Sequence, residues 1–202
     1  MKPFQAAAKS PPDFDPREAE RLLDAAGRGR DRDGNRFHLF HDFVPAGEQY
    51  EETAVAIKQA LERVGIAVTV RKQNFPSYLK RIYADRDFSF VTNRANNMFD
   101  PTVGVQRLFW SKNFKPRLPF SNASHYANKE VDQLLEEAAI EPNPDKRLAG
   151  FSRFQELIAR DLPDITLLAP AQITIHGTNL RDHSITADGV AGNLANAYLA
   201  ER

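Results

Sequence analysis

Apolar and polar residues alternate along this chain with two different periods, and the switches between them define its elements. After Asp15-Pro16, the residues Ala19, Leu22, Leu23 and Ala26 form a stripe at helical spacing and Gly27 closes it. Asp15 caps this predicted helix, Pro16 occupies its first position, and Glu18 is placed to complete a capping box. Asp33-Gly34-Asn35 is a turn. Residues 36–43 then alternate Phe37, Leu39, His41 and Phe43 against Arg36, His38, Phe40 and Asp42, which predicts a strand. Tyr50, Ala54, Ile57, Leu61 and Val64 return to helical spacing, with Glu51, Glu52, Lys58 and Glu62 outside. Gly65 ends that helix, and Ile66 to Val70 is a β-branched strand. Strand, amphipathic helix and strand make a βαβ unit with parallel strands and a right-handed crossover.

A second short helix is predicted over Pro76 to Ala84 and a third strand over Phe88 to Val91. The fold class is therefore α/β with a mostly parallel sheet. Residues 92–126 are rich in Asn, Phe, Pro and Arg and show little periodicity, apart from a short helix opening at Asp100-Pro101. Two more helices follow. Val131, Leu134, Leu135 and Ala138 stripe the first; Asn143 caps the second, which carries Leu148, Phe151, Phe154 and Ile158 on one face. Leu162 to Leu168 and Gln172 to Ile175 read as short strands, and residues 177–202 carry turn signals without an element of their own. The chain contains no internal repeat.

Composition narrows the function. The 27 Lys and Arg balance 27 Asp and Glu, and no basic cluster stands out, so the electrostatic footprint of a nucleic-acid binder is missing. With no cysteine, thiol catalysis, disulfides and thiolate metal sites are excluded. No stretch approaches the roughly 20 apolar residues of a membrane span. The Ala run at 6–8 falls short of a secretory signal, so the sequence taken literally stays in the cytoplasm.

Dinucleotide, phosphate-loop, zinc-protease and nucleophile-elbow motifs are absent. His38 and His41, three apart on a predicted strand, face opposite sides; His125, His176 and His183 stand at unrelated spacings, so no metal or cofactor is indicated. One segment carries candidate chemistry. Asn93, Arg94, Asn96, Phe99 and Asp100 follow directly on the third predicted strand, where open α/β sheets bind ligands. Amides, a guanidinium and an aromatic ring suit a small polar solute with a charged end, and Trp110 close behind offers an apolar wall. The alternative for these residues is structural: Asp100 capping a helix, and Phe99, Phe109 and Trp110 filling the core.

The order of motifs resembles the C-terminal part of family 5 extracellular solute-binding proteins, the peptide/nickel-type receptors of ABC importers. The matching stretches are Phe14-Asp15-Pro16 with Ala19, Leu22, Leu23, Ala26 and Gly27; residues 56–70 (AIKQALERVGIAVTV); Phe99-Asp100-Pro101; and Ser124 to Asp132 with Leu134-Leu135. Asn143 to Arg147 and Leu162 to Ile165 complete the order.

The resemblance implies a periplasmic-binding-protein-like type II lobe, incomplete because the family's first lobe would precede Met1. It further implies a linker over residues 1–13, an α/β lobe over 14–165, and a return segment over 166–202 written to pack on the first lobe. It implies a periplasmic, non-catalytic monomer that binds an oligopeptide or dipeptide-like solute and delivers it to a membrane permease. Two other readings stay open: a cytoplasmic interaction protein derived from such a lobe, and a small hydrolase or transferase using Asp100 with His125.

Overall fold

A computed structural model describes residues 13–95, 100–104, 106–169, 173–184 and 192–201. The chain divides into two compact units, the first ending at Asp161 and the second starting at Leu162.

In the first unit, helix α1 (Pro16–Ala25) starts where Asp15 accepts hydrogen bonds from the Arg17 and Glu18 backbone N–H groups. Glu18 does not complete a capping box; its carboxylate turns to Arg21, one turn on, and forms a two-point ion pair. Strand β1 (Phe37–Phe43), helix α2 (Glu48–Arg63) and strand β2 (Ile66–Arg71) follow as the periodicity predicts. The two strands are parallel, with Phe37 opposite Ile66 and His41 opposite Val70. Strand β3 (Phe90–Thr92) pairs in parallel with the other side of β1, giving the order β2-β1-β3.

Alternation along the strands decides which side chains meet. Ile66 and Val68 are buried with Val64 against Phe37, Leu39, Ala19 and Leu23, so α1 packs on that layer of the core. A second cluster joins Val44, Tyr78, Ile82 and Tyr83 to Val91 and Phe88. It is held by helix α3 (Phe75–Leu79), which runs on into a π-helical turn (Lys80–Asp85) that stops where Arg86 enters the left-handed region at φ 56°. The wider turn puts both Ile82 and Tyr83 into the core. Ile82 has no exposed surface, and burying a side chain of that size contributes about 1.5–3 kcal/mol.

Beyond β3 come two short helical pieces, α4 (Pro101–Gly104) and α5 (Gln106–Phe109), a 3₁₀ turn (Ser111–Asn113), and two longer helices, α6 (Lys129–Ile140) and α7 (Pro144–Asp161). Val131, Leu135 and Ala138 interlock with Phe151, Phe154 and Leu157 as a third buried cluster. Asn128 caps α6 by accepting from the Glu130 and Val131 N–H groups, and its own amide donates to Asp161 at the end of α7.

The second unit departs from its sequence reading. Leu162 to Leu168 forms no ladder, and neither do residues 173–175; Gln172 lies outside the described residues. Leu167, Leu168, Ile173 and Ile175 are instead exposed. A β-branched or leucine-rich run becomes a strand only when another strand takes up its N–H and C=O groups, and none does so among the described residues. The ladder that does form lies in the stretch read as lacking elements. It is a two-residue antiparallel pair, β4 (Leu180–Arg181) with β5 (Tyr198–Leu199).

Candidate functional site

The chain runs from β1 to β2 on one side and then returns past β1 to β3 on the other. Strand order therefore reverses at β1, and the crevice at the carboxyl ends of β1 and β3 is the place where an open α/β sheet accepts a ligand. The backbone there is continuous, since the Val44 N–H donates to the Thr92 carbonyl at 2.9 Å. Gly47, at φ 144°, then opens α2 with no side-chain cap.

Asn93 and Arg94 stand at this mouth, directly after β3. The Asn93 amide donates to the Tyr83 hydroxyl at 3.1 Å, and its carbonyl oxygen accepts from the Arg94 N–H at 2.8 Å. Tyr83, which sequence reasoning missed, is thus the anchor of the loop. Burial raises the pKa of its hydroxyl, against the opposing effects of Asn93, the Phe120 backbone and the Arg107 charge. Arg107, nearby, has its Nε buried without a hydrogen-bond partner among the described residues. Arg94 itself is exposed. Asn96 and Phe99 lie outside the described residues.

Asp100 and Trp110 have other engagements. The Asp100 carboxylate accepts from the Thr102 N–H at 2.8 Å and from Arg147 Nη2 at 2.6 Å. The Arg147 guanidinium beside it holds its pKa down at about 2. Arg147 also donates to the Ala138 carbonyl, so this ion pair ties the start of α4 to α6 and α7. Trp110 packs on the α6–α7 cluster and donates its indole N–H to Glu136 at 2.8 Å. His125 is not paired with Asp100: its ring lies edge-on to Phe114, 3.6 Å between centres, with Arg86 over the same phenyl. Desolvation and the Arg86 charge lower its pKa. A hydrolytic Asp100–His125 pair has no geometric support among these contacts.

Just beneath the mouth lies a polar cluster that spacing did not disclose. Asp42 is fully buried and accepts from Arg71 Nη2 at 2.5 Å, Gln73 Nε2 at 2.8 Å and Arg81 Nη1 at 3.4 Å. Its neighbour His41 is also fully buried, bonded through Nε2 to the Thr92 hydroxyl at 2.8 Å and stacked on Phe90 with 4.2 Å between ring centres. Its burial sets His41 apart from His38, His125, His176 and His183, none of which is buried. Burial lowers its pKa, opposed by the Asp42 carboxylate. Arg71 also bonds Asp87 and lies over the Phe40 ring, 4.7 Å from its centre. The ends of all three strands are in this way locked together under the crevice.

The mouth is open. Two surface depressions, of about 470 Å³ along the exposed side of α2 and about 200 Å³ between α6 and α7, are lined by other residues than Asn93, Arg94, Asp100 and Trp110. Among the described residues, no helix is long and apolar enough to cross a membrane.

Comparison with known proteins gives this geometry a context. Protein XP55 of Streptomyces lividans is 29% identical over 157 residues, which cover 74% of this chain and 28% of that protein. The probable D,D-dipeptide-binding periplasmic protein DdpA of Escherichia coli is 27% identical over 124 residues, 61% of this chain and 23% of that one. Among solved structures, NikZ of Campylobacter jejuni in complex with Ni(L-His) superposes with a TM-score of 0.66 at 20% identity, over 74% of this chain and 31% of its own. DppA of Helicobacter pylori, in complex with the peptide STSA, gives 0.65 at 23% identity, over 79% and 30%. These structures share the fold, and the chain spans about three-tenths of their length or less. Residues 1–117 match the profile of the Bacterial extracellular solute-binding proteins, family 5 Middle. More than half of the chain carries that match, and the chain belongs to this family of solute-binding proteins.

Proposed function

We propose that the chain is one lobe of the substrate-binding receptor of an ABC importer, holding an oligopeptide or dipeptide-like solute at the mouth of its sheet. The observation that carries this reading is the reversal of strand order at β1, with Asn93 and Arg94 on the loop that leaves β3. A relative named for dipeptides and a structural neighbour holding a peptide support that solute class.

In this reading Arg94 pairs with the solute carboxylate, since a guanidinium matches its two oxygens. Asn96 supplies an amide and Phe99 an apolar contact, while Asn93, already bonded to Tyr83 and to the Arg94 N–H, offers the second hydrogen of its amide nitrogen. Asp100 and Trp110, whose polar atoms are already engaged, support the loop from behind. Affinity comes from burial between two walls, so a first lobe is needed to cover the exposed Asn93 and Arg94. Residues 166–202 are the segment that returns to that lobe, and the exposed Leu167, Leu168, Ile173 and Ile175 are the apolar surface it would cover. The receptor works outside the cytoplasmic membrane and hands its solute to a permease without chemical change.

A thermal-shift and calorimetric screen of the chain with di- and tripeptides tests the reading. The expected result is weak binding that disappears in Arg94→Ala and becomes tight when a first lobe is supplied. Strong stabilisation of the chain alone would refute the need for a second wall. Peptide binding that survives both Arg94→Ala and Asn93→Ala would refute the site.

A further inference from the structure

His176 and His183, seven residues apart and unrelated by any motif spacing, come together in the second unit. Their ring centres are 3.9 Å apart, with the planes inclined at 51°. The intervening loop is well tied. The Gly177 carbonyl accepts from the Leu180 N–H at 3.1 Å, and Arg181 Nη1 donates to the Thr178 carbonyl at 2.7 Å. The Asn179 carbonyl accepts from the Ala200 N–H at 2.8 Å, next to the β4–β5 pair. Asp182, in the left-handed region at φ 51°, then redirects the chain immediately before His183.

The hydrogen bonds of the two rings matter more than their proximity. His176 Nδ1 is 2.8 Å from the Gly177 carbonyl oxygen. A carbonyl only accepts, so Nδ1 carries the hydrogen and Nε2 of the neutral ring carries the lone pair. His183 Nδ1 is 2.7 Å from the Ser184 hydroxyl, which accepts or donates and so admits the same tautomer. In both rings Nδ1 is committed and Nε2 is the atom left to act. An imidazole whose Nδ1–H is held by an oxygen acceptor is oriented and made more basic for metal ligation through Nε2.

We propose that His176 and His183 form a two-imidazole site for a divalent first-row transition cation, bound through both Nε2 atoms, with water or a small anion filling the remaining positions. Paired imidazoles select copper, nickel or zinc over magnesium and calcium, which prefer oxygen. Metal–nitrogen bonds of about 2.0–2.1 Å place the centres of two rings on one cation roughly 4.5–5 Å apart. The rings therefore swing slightly outward as the cation enters, a motion open to the exposed His176. Neither residue takes part in the proposed solute site, so the two proposals stand or fall separately.

Isothermal titration of the full chain, free of any histidine tag, with Cu²⁺, Zn²⁺ and Mg²⁺ chlorides tests the site. One Cu²⁺ per chain is expected, bound more tightly than Zn²⁺, with no Mg²⁺ bound. His176→Asn and His183→Asn should each weaken Cu²⁺ binding by at least about tenfold, the scale set by loss of even an outer-shell partner. The double variant should bind none, and His38→Asn should bind as the parent does. Imidazole nitrogen resonances of His176 and His183 should shift together on addition of Zn²⁺. Unmatched urea midpoints among the variants would direct the reading to those resonances in the parent chain. The proposal is overturned by stoichiometric binding that persists in the double variant, by equal losses in His38→Asn, or by the absence of binding and of any resonance shift.

Discussion

Replacing Arg71 with methionine isolates the energetic role of the cluster under the crevice. The Asp42 carboxylate has no solvent exposure, and Arg71 is its closest cation, reaching the same oxygen from Nη2 at 2.5 Å and Nε at 3.2 Å. Arg71→Met keeps most of the side-chain volume but removes the charge and both donors. What remains around the carboxylate is Gln73 and the more distant Arg81. Breaking a buried pair from one side costs about 3–5 kcal/mol, because the other charge is left without compensation. Since Arg81 and Gln73 stay, the lower end applies, about 3 kcal/mol. That is a large part of the 5–15 kcal/mol that stabilises a typical domain, and it corresponds to a fall of roughly 6–12 °C in Tm. Urea unfolding followed by circular dichroism should show the midpoint falling with the slope unchanged. The double variant Arg71→Met/Asp42→Leu should recover to within about 1 kcal/mol of the parent, since an apolar pair of similar volume needs no charge compensation. A loss under about 1 kcal/mol in the single variant, or a double variant worse than the single, would refute the reasoning.

Two further outcomes follow from neighbouring groups. His41 has its pKa lowered by burial, so the folded state resists its protonation. Its contribution is complete above the unfolded value of about 6.5 and is lost as pH falls from there towards the lower folded value. Urea midpoints should therefore drop between pH 7.5 and 5 in the parent and less in His41→Gln; an identical drop in both would exclude His41 as the cause. Asp100, held at about 2 by Arg147, contributes stability above the ordinary carboxylate range that disappears as pH falls towards 2. Asp100→Asn should cost about 1 kcal/mol at pH 7, kept small by the partial exposure of the pair, and the difference from the parent should shrink on acidification in a thermal-melt series.

The parts of the fold legible in sequence are those whose cause is local. The βαβ unit shows itself because Tyr50, Ala54, Ile57, Leu61 and Val64 leave one helical stripe between two alternating strands. The caps at Asp15 and Asn143 are similarly self-contained. Residues 162–168 have the composition of a strand, but among the described residues no strand takes up their backbone groups. Asp42 and Arg71 were unreadable for a different reason. They lie 29 residues apart and become neighbours only through the parallel register that pairs Asp42 with Arg71. That Asn93 and Arg94 follow the third strand is legible from the order of elements, but Tyr83 as the anchor of Asn93 depends on the π-helical turn that directs it inward. His176 and His183 needed Asp182 in a left-handed conformation that few sequences announce.

The middle strand of the sheet, β1, is also the first of the three along the chain. A polypeptide emerging from its amino end thus has the template in hand before either edge is made. Residues 37–71 can close as a parallel βαβ unit through α2, and the short β3 then docks on the vacant flank of β1. Each addition spans a modest loop, whose closure entropy grows only slowly with length. Because the central strand precedes both of its neighbours along the chain, each edge strand is synthesised after the strand it pairs with.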